Sequence, residues 1–181
     1  MAVPANLGHN ANVMKFPGLV VLIIFVAPAG FFPGLAIATD VGAPAPALAL
    51  ATAGGDVVAL DQLRGKVVYV DFWASWCGPC RKSFPWMADM QRKYGPSGFT
   101  VVAVNLDKKR PDAERFLKAT PAPFTVVFDP AGTTPAAWNV KAMPSSFLID
   151  AKGNVVDVES GFHDHKVAEL ESRIKTLVET H

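Results

Sequence analysis

The chain has 181 residues, half of them hydrophobic, with 17 basic and 16 acidic side chains and a formal charge of +1. That length holds one domain and an appendage, and the apolar fraction supports a core without disulfide staples. A charge so near zero, with no basic block larger than Lys108-Lys109-Arg110, excludes nucleic acid as an expected partner.

Reading from the N-terminus, Phe16–Thr39 carries no charge and is long enough to span a bilayer. Pro17, Pro28 and Pro33 with Gly18, Gly30 and Gly34 leave only Leu19–Ala27 uninterrupted, which fits the apolar heart of a signal peptide better than a stable anchor. Ala36-Ile37-Ala38 has the A-x-A form of a signal-peptidase site, so residues 1–38 are expected to be a cleaved export segment. Translation is expected to start at Met14, because the residues before it lack Lys and Arg. Left uncleaved, Phe16–Thr39 would act as a membrane anchor. Cleavage removes Lys15 alone among the charged residues and leaves 16 basic against 16 acidic. Export implies a periplasmic or other extracytoplasmic location, where disulfides persist.

Residues 39–46, rich in Ala, Pro and Gly, read as a linker into a folded domain over residues 47–181. Ala47–Ala51 and Val57–Leu60 form a candidate strand pair around Gly54-Gly55. Lys66–Ala74 (KVVYVDFWA) is a β-branched and aromatic run typical of a strand buried on both faces. A helix follows, with Phe84, Met87, Met90 and Tyr94 on its apolar face and Pro85 expected to kink it. Gly98–Leu106 and Phe124–Asp129 read as strands, separated by a helix over Pro111–Ala119. After a helical turn near Ala136, an antiparallel hairpin flanks Ala151-Lys152-Gly153. An amphipathic helix from about His163 to Glu179 follows through Val167, Leu170, Ile174 and Leu177. The alternation predicts an α/β fold with a central mixed sheet, helices on both faces and an antiparallel edge.

Cys77 and Cys80 are the only cysteines. A bridge this short closes almost no loop, so it suits redox chemistry better than stapling. Cys77 falls at the helix N-terminus, where free N–H groups and the macrodipole favour a thiolate. Cys80, one turn further in, stays a thiol until it resolves the mixed disulfide formed by Cys77. Asp71 is the one charged residue in VVYVDFWA, Val67–Ala74. A buried carboxyl has a raised pKa and suits a general base for Cys80; the bland alternative is a strand-end carboxylate pointing outward. A zinc site would need two further ligands, and the mature domain offers only His163 and His165 besides His181. No metal or other cofactor is expected. A Cu(I)-binding chaperone remains the binding-protein alternative, since Cu(I) favours thiolates.

The stretches VDFWASWCGPC, Pro85 five positions after Cys80, MPSSFLID, and Gly161-Phe162 together resemble the thioredoxin superfamily in its exported TlpA/ResA-like branch, from about Ala43 to the C-terminus. The resemblance implies a thioredoxin-like fold and a thiol:disulfide oxidoreductase. It makes Met143-Pro144 the cis-proline segment, and Trp76, Met143, Pro144 and Gly161 the substrate-docking surface around Cys77. Asp71 matches the buried acid beneath the second cysteine. The Gly78-Pro79 dipeptide, shared with thioredoxin, implies a reductase; an oxidase or isomerase would use the same residues. The implied partners are a protein disulfide and a membrane electron donor of the thiol-relay type, with cysteines awaiting haem attachment in cytochrome c maturation among the substrates of such proteins. A peroxidase is disfavoured, because Ala74 stands where such sites place Thr or Ser. A monomer is expected.

Overall fold

Residues 39–180 are described by a computed structural model; the export segment, the Met14 start and the Ala38 cleavage site lie outside them. The elements in chain order are β1 (Ala49–Thr52), β2 (Val57–Ala59), β3 (Val67–Trp73), α1 (Gly78–Tyr94), β4 (Phe99–Asn105), α2 (Arg110–Ala119), β5 (Thr125–Phe128), α3 (Thr134–Ala137), β6 (Ser145–Ile149), β7 (Val155–Ser160) and α4 (Val167–Glu179). The strands form one mixed sheet in the order β2-β1-β5-β4-β3-β6-β7. Every residue of β3 is buried, as its unbroken apolar run requires. It pairs parallel with β4 from Val67 against Phe99 to Trp73 against Asn105, and antiparallel with β6.

Two parallel steps in one direction, β3 to β4 to β5, explain where the helices go. Right-handed crossovers put both connecting helices on the same face of the sheet. There α1 and α2 join α4 over Tyr69, Trp73, Val101 and Ala103. Phe84 of α1 contacts Trp73 at a ring distance of 4.7 Å and Phe116 of α2 at 4.9 Å. Phe84, Met87, Met90 and Tyr94 are all buried, and fully covering each of the first three contributes about 1.5–3 kcal/mol. Pro85 does not break α1. It lies on the exposed side, where water can reach the Arg81 carbonyl that its missing N–H leaves free.

The opposite face is more thinly covered. Val68, Val70, Phe72, Val102 and Phe147 pack there beneath Leu48, the 3-10 turn Leu60–Leu63 and Trp138, which follows α3. Trp138 is fully buried against Phe72 and Phe147, with ring distances of 5.6 and 5.0 Å. The turn that delivers it is shaped by Asp129, whose carboxylate accepts the backbone N–H groups of Gly132, Thr133 and Thr134 and both threonine hydroxyls. Burial pushes that carboxyl up, but these donors outweigh it and hold it below the usual range.

Two segments differ from the sequence reading. β1 pairs with β5 as well as with β2, so the N-terminal strands extend the main sheet. The stretch expected to be a linker is stitched to the β6–β7 hairpin: the Gly42 N–H donates to Val155 O at 2.8 Å, and Ala45 N–H to Gly153 O at 3.0 Å. Its prolines do not prevent this, because neighbouring residues supply the donors.

Candidate active site

β3 ends at Trp73, and the chain reaches α1 through Ala74-Ser75-Trp76-Cys77. Cys77 is the N-cap residue of α1, with extended backbone (φ −79°, ψ 107°) and Pro79 in the first turn, a position where proline costs nothing. Cys77 and Cys80 are joined by a disulfide, with Cα atoms 5.3 Å apart. The Cys80 N–H donates to Cys77 Sγ at 3.2 Å, so the sulfur occupies the place of a capping oxygen. Cys77 keeps 5% of its surface, and Cys80 keeps none. The Ser83 hydroxyl donates to Cys80 O at 2.9 Å.

Asp71 is 1% exposed, which excludes an outward-pointing carboxylate. It falls between Tyr69 and Trp73 in the alternation of β3 and therefore shares the α1 face with them. Tyr69 lies edge-on to Trp86, and Trp73 edge-on to Phe84, so this face of β3 runs under the first half of α1. Asp71 Oδ2 has no hydrogen-bond partner among the described residues, and burial pushes the carboxyl well above its ordinary value.

The Met143–Pro144 peptide bond is cis, and Pro144 is buried at the start of β6. A groove of about 390 Å³ runs past the disulfide, lined by Trp76, Cys77, Leu106, Pro135, Val140, Lys141, Ala142 and Met143. Trp76 is 72% exposed at its rim. The structure thus brings Trp76, Cys77 and Met143 together. Gly161 does not line this groove. It lies across β6, where its N–H donates to Pro144 O at 2.7 Å, and its φ of +85° suits glycine. His163 and His165, 5.6 Å apart, follow Gly161, with His163 Nε2 3.1 Å from Ser160 O.

Sequence reasoning missed a buried hub beside the groove. Asp107, 3% exposed, accepts the Ser75 N–H and Ser75 hydroxyl at 2.9 Å each, and the Asn105 amide at 2.7 Å. The Asp107 N–H donates back to Asn105 Oδ1 at 3.1 Å. This network fixes the loop carrying Trp76 and Cys77 against the turn carrying Leu106. In the sequence Asp107 adjoins a basic triplet that reads as a solvated loop.

A thioredoxin fold with a Cys-x-x-Cys disulfide capping the helix after its central strand, beside a cis-proline, defines a thiol:disulfide oxidoreductase. The redoxin family profile matches residues 40–174. The thiol-disulfide oxidoreductase ResA of Bacillus subtilis (strain 168) is 36% identical over 120 residues, covering 66% of this chain and 67% of the relative. A solved structure from Chlorobium tepidum, assigned as thiol:disulfide interchange protein DsbE, is 53% identical with a TM-score of 0.75, covering 78% of this chain and 99% of that one. A Bacteroides thetaiotaomicron structure assigned as a protein disulfide isomerase is 28% identical with a TM-score of 0.73, covering 78% and 91%. The chain belongs to the redoxin family and is a TlpA/ResA-like member of the thioredoxin superfamily.

Proposed function

We propose that this protein reduces disulfides of exported proteins. The observation that carries the reading is the asymmetry of the pair: Cys77 borders an open groove, whereas Cys80, in the first turn of α1, is fully buried on the side of the sheet that Asp71 shares. In the reduced protein the Cys77 thiolate attacks one sulfur of the substrate disulfide. A Cys77–substrate bond forms, and the other substrate sulfur leaves as a thiolate and takes a proton. Asp71 accepts the proton of Cys80, whose sulfur then attacks Cys77 Sγ. The intramolecular disulfide forms, and the second substrate sulfur departs as a thiolate that takes the proton held by Asp71. Two electrons pass from the cysteine pair to the substrate, with one proton from Cys80 and one from solvent.

Trp76, Met143 and Pro144 dock the substrate segment, and Gly161 holds Pro144 in place through its carbonyl. Regeneration needs a second dithiol, which we assign to a membrane electron donor of the thiol-relay type. The export segment read in residues 1–38 supports an extracytoplasmic site of action. Among the described residues no helix is long and apolar enough to cross a membrane. Cysteine pairs awaiting haem attachment belong in the first substrate panel.

The Gly78-Pro79 dipeptide supports reduction over oxidation. The likeness to a protein assigned as a disulfide isomerase makes isomerisation the competing reading. Equilibrating the Cys77–Cys80 couple with glutathione or dithiothreitol separates them. A potential near that of thioredoxin, about −270 mV, is expected; one near about −180 mV would favour isomerisation, and one near about −120 mV would reverse the direction of electron flow.

A further inference from the structure

Of the described residues that line the groove, one carries a charge. Lys141 is exposed, lines the same groove as Cys77, and forms no ion pair among the described residues. Lys141 also borders a smaller hollow that contains Glu159, but the Glu159 carboxylate already holds Lys166 Nζ at 2.8 and 2.9 Å. The first turn of α1 adds Arg81 and Lys82, both exposed and without an ion pair among the described residues. No Asp or Glu occurs in Ser75–Ala88 or in Trp138–Ser146. The nearest carboxylate in the groove-lining turn, Asp107, is buried and occupied by Ser75 and Asn105. In a chain of almost balanced charge, the exposed charges of the described groove lining and of the start of α1 are thus Lys141, Arg81 and Lys82, while Asp71 and Asp107 are buried.

Resting on the reading of this site as a disulfide reductase, we propose that the groove selects disulfides flanked by carboxylate side chains, and that Lys141 is the residue that discriminates. Apolar walls from Leu106, Val140 and Met143 shield an ammonium–carboxylate pair from part of the solvent. A cationic flank meets the same lysine unpaired. The electron transfer is that of the parent reaction: the Cys77–Cys80 dithiol is oxidised and the substrate disulfide is reduced to two thiols.

The test uses three peptide disulfides that differ only in whether Glu, Gln or Lys flanks the attacked cysteine. Each rate is divided by that peptide's rate with dithiothreitol, because flanking charge also changes the leaving thiol. With the reduced wild-type protein, kcat/KM is expected to fall about threefold from Glu to Gln and again to Lys. In Lys141→Gln the three should converge, in Lys141→Glu the order should invert, and high salt should erase both differences. An order that is absent in the wild type, or unchanged in Lys141→Glu, overturns the proposal. Should none of the peptides be reduced, the reductase reading fails. The same preference is then read from oxidation of the three peptide dithiols by the disulfide form, and an equal rate for all three refutes the role of Lys141.

Discussion

Asp71→Asn separates the effect of the buried carboxyl on stability from the role in resolution proposed for it. Asp71 Oδ2 lies in the interior without a donor, and burial raises its pKa above the unfolded-chain value of about 3.9. Below that value both folded and unfolded chains carry a neutral carboxyl, and the site costs little. As pH climbs past it the unfolded chain ionises first, so the native state loses stability until its own carboxyl ionises, and the loss then levels off. An unsatisfied buried polar group costs about 1–3 kcal/mol, more when charged. For a domain of this size that corresponds to about 3–10 °C in Tm. Asp71→Asn should therefore match the wild type in acid and exceed it by that margin toward alkaline pH, followed by thermal denaturation of the oxidised protein from pH 3 to 9. The catalytic half runs the other way. Stopped-flow measurement of mixed-disulfide resolution should slow by about 10²–10⁴-fold, while alkylation of Cys77 keeps its rate. Parallel Tm–pH curves would refute the stability argument, and an unchanged resolution rate would remove Asp71 from the mechanism.

Cys80→Ala should accumulate a covalent Cys77–substrate adduct visible by intact mass; rapid turnover without it would show that resolution does not need Cys80. Asp107→Ala strands the donors of Ser75 and Asn105, with an expected loss of about 2–4 kcal/mol by urea denaturation. It should also raise KM for a protein disulfide more than it lowers kcat, and an equal KM would confine Asp107 to stability. Trp138→Ala empties the centre of the thinner face and should cost about 3–5 kcal/mol; a loss under about 1 kcal/mol would show that this face is not a core.

The parts of the fold legible in the sequence are those set by local periodicity. β3 shows as an unbroken apolar run, α1 by Phe84, Met87, Met90 and Tyr94, and the terminal hairpin by its turn. The cysteine spacing and the lone acid in β3 marked the candidate site. What stayed hidden depends on contacts between distant segments. Nothing local to Ala49–Thr52 announces that it pairs with β5. The groove takes Leu106 from the end of β4 and Pro135 and Val140 from α3 and the turn after it, and none is unusual where it stands. Asp107 was obscured by its basic neighbours: composition reported a solvated loop, whereas the carboxylate turns inward to Ser75. Gly161, named from the family resemblance, follows β7 and bonds the Pro144 carbonyl from outside the lining of this groove.

The bond from the Cys80 N–H to Cys77 Sγ ties the strength of the fold to the voltage of the couple. In the disulfide that sulfur is a weak, neutral acceptor; where reduction yields the thiolate proposed for Cys77, the same bond becomes charge-assisted. A thermodynamic square then links four states, folded and unfolded, oxidised and reduced. The difference in folding free energy between the two redox forms must equal the difference in reduction potential between the folded and the unfolded chain. At about 30 mV for each 1.4 kcal/mol, a pair of urea titrations would measure, without any electrode, how far folding shifts the potential. A substitution that strengthens the helix start in only one redox form would shift that potential even if it never touches a sulfur.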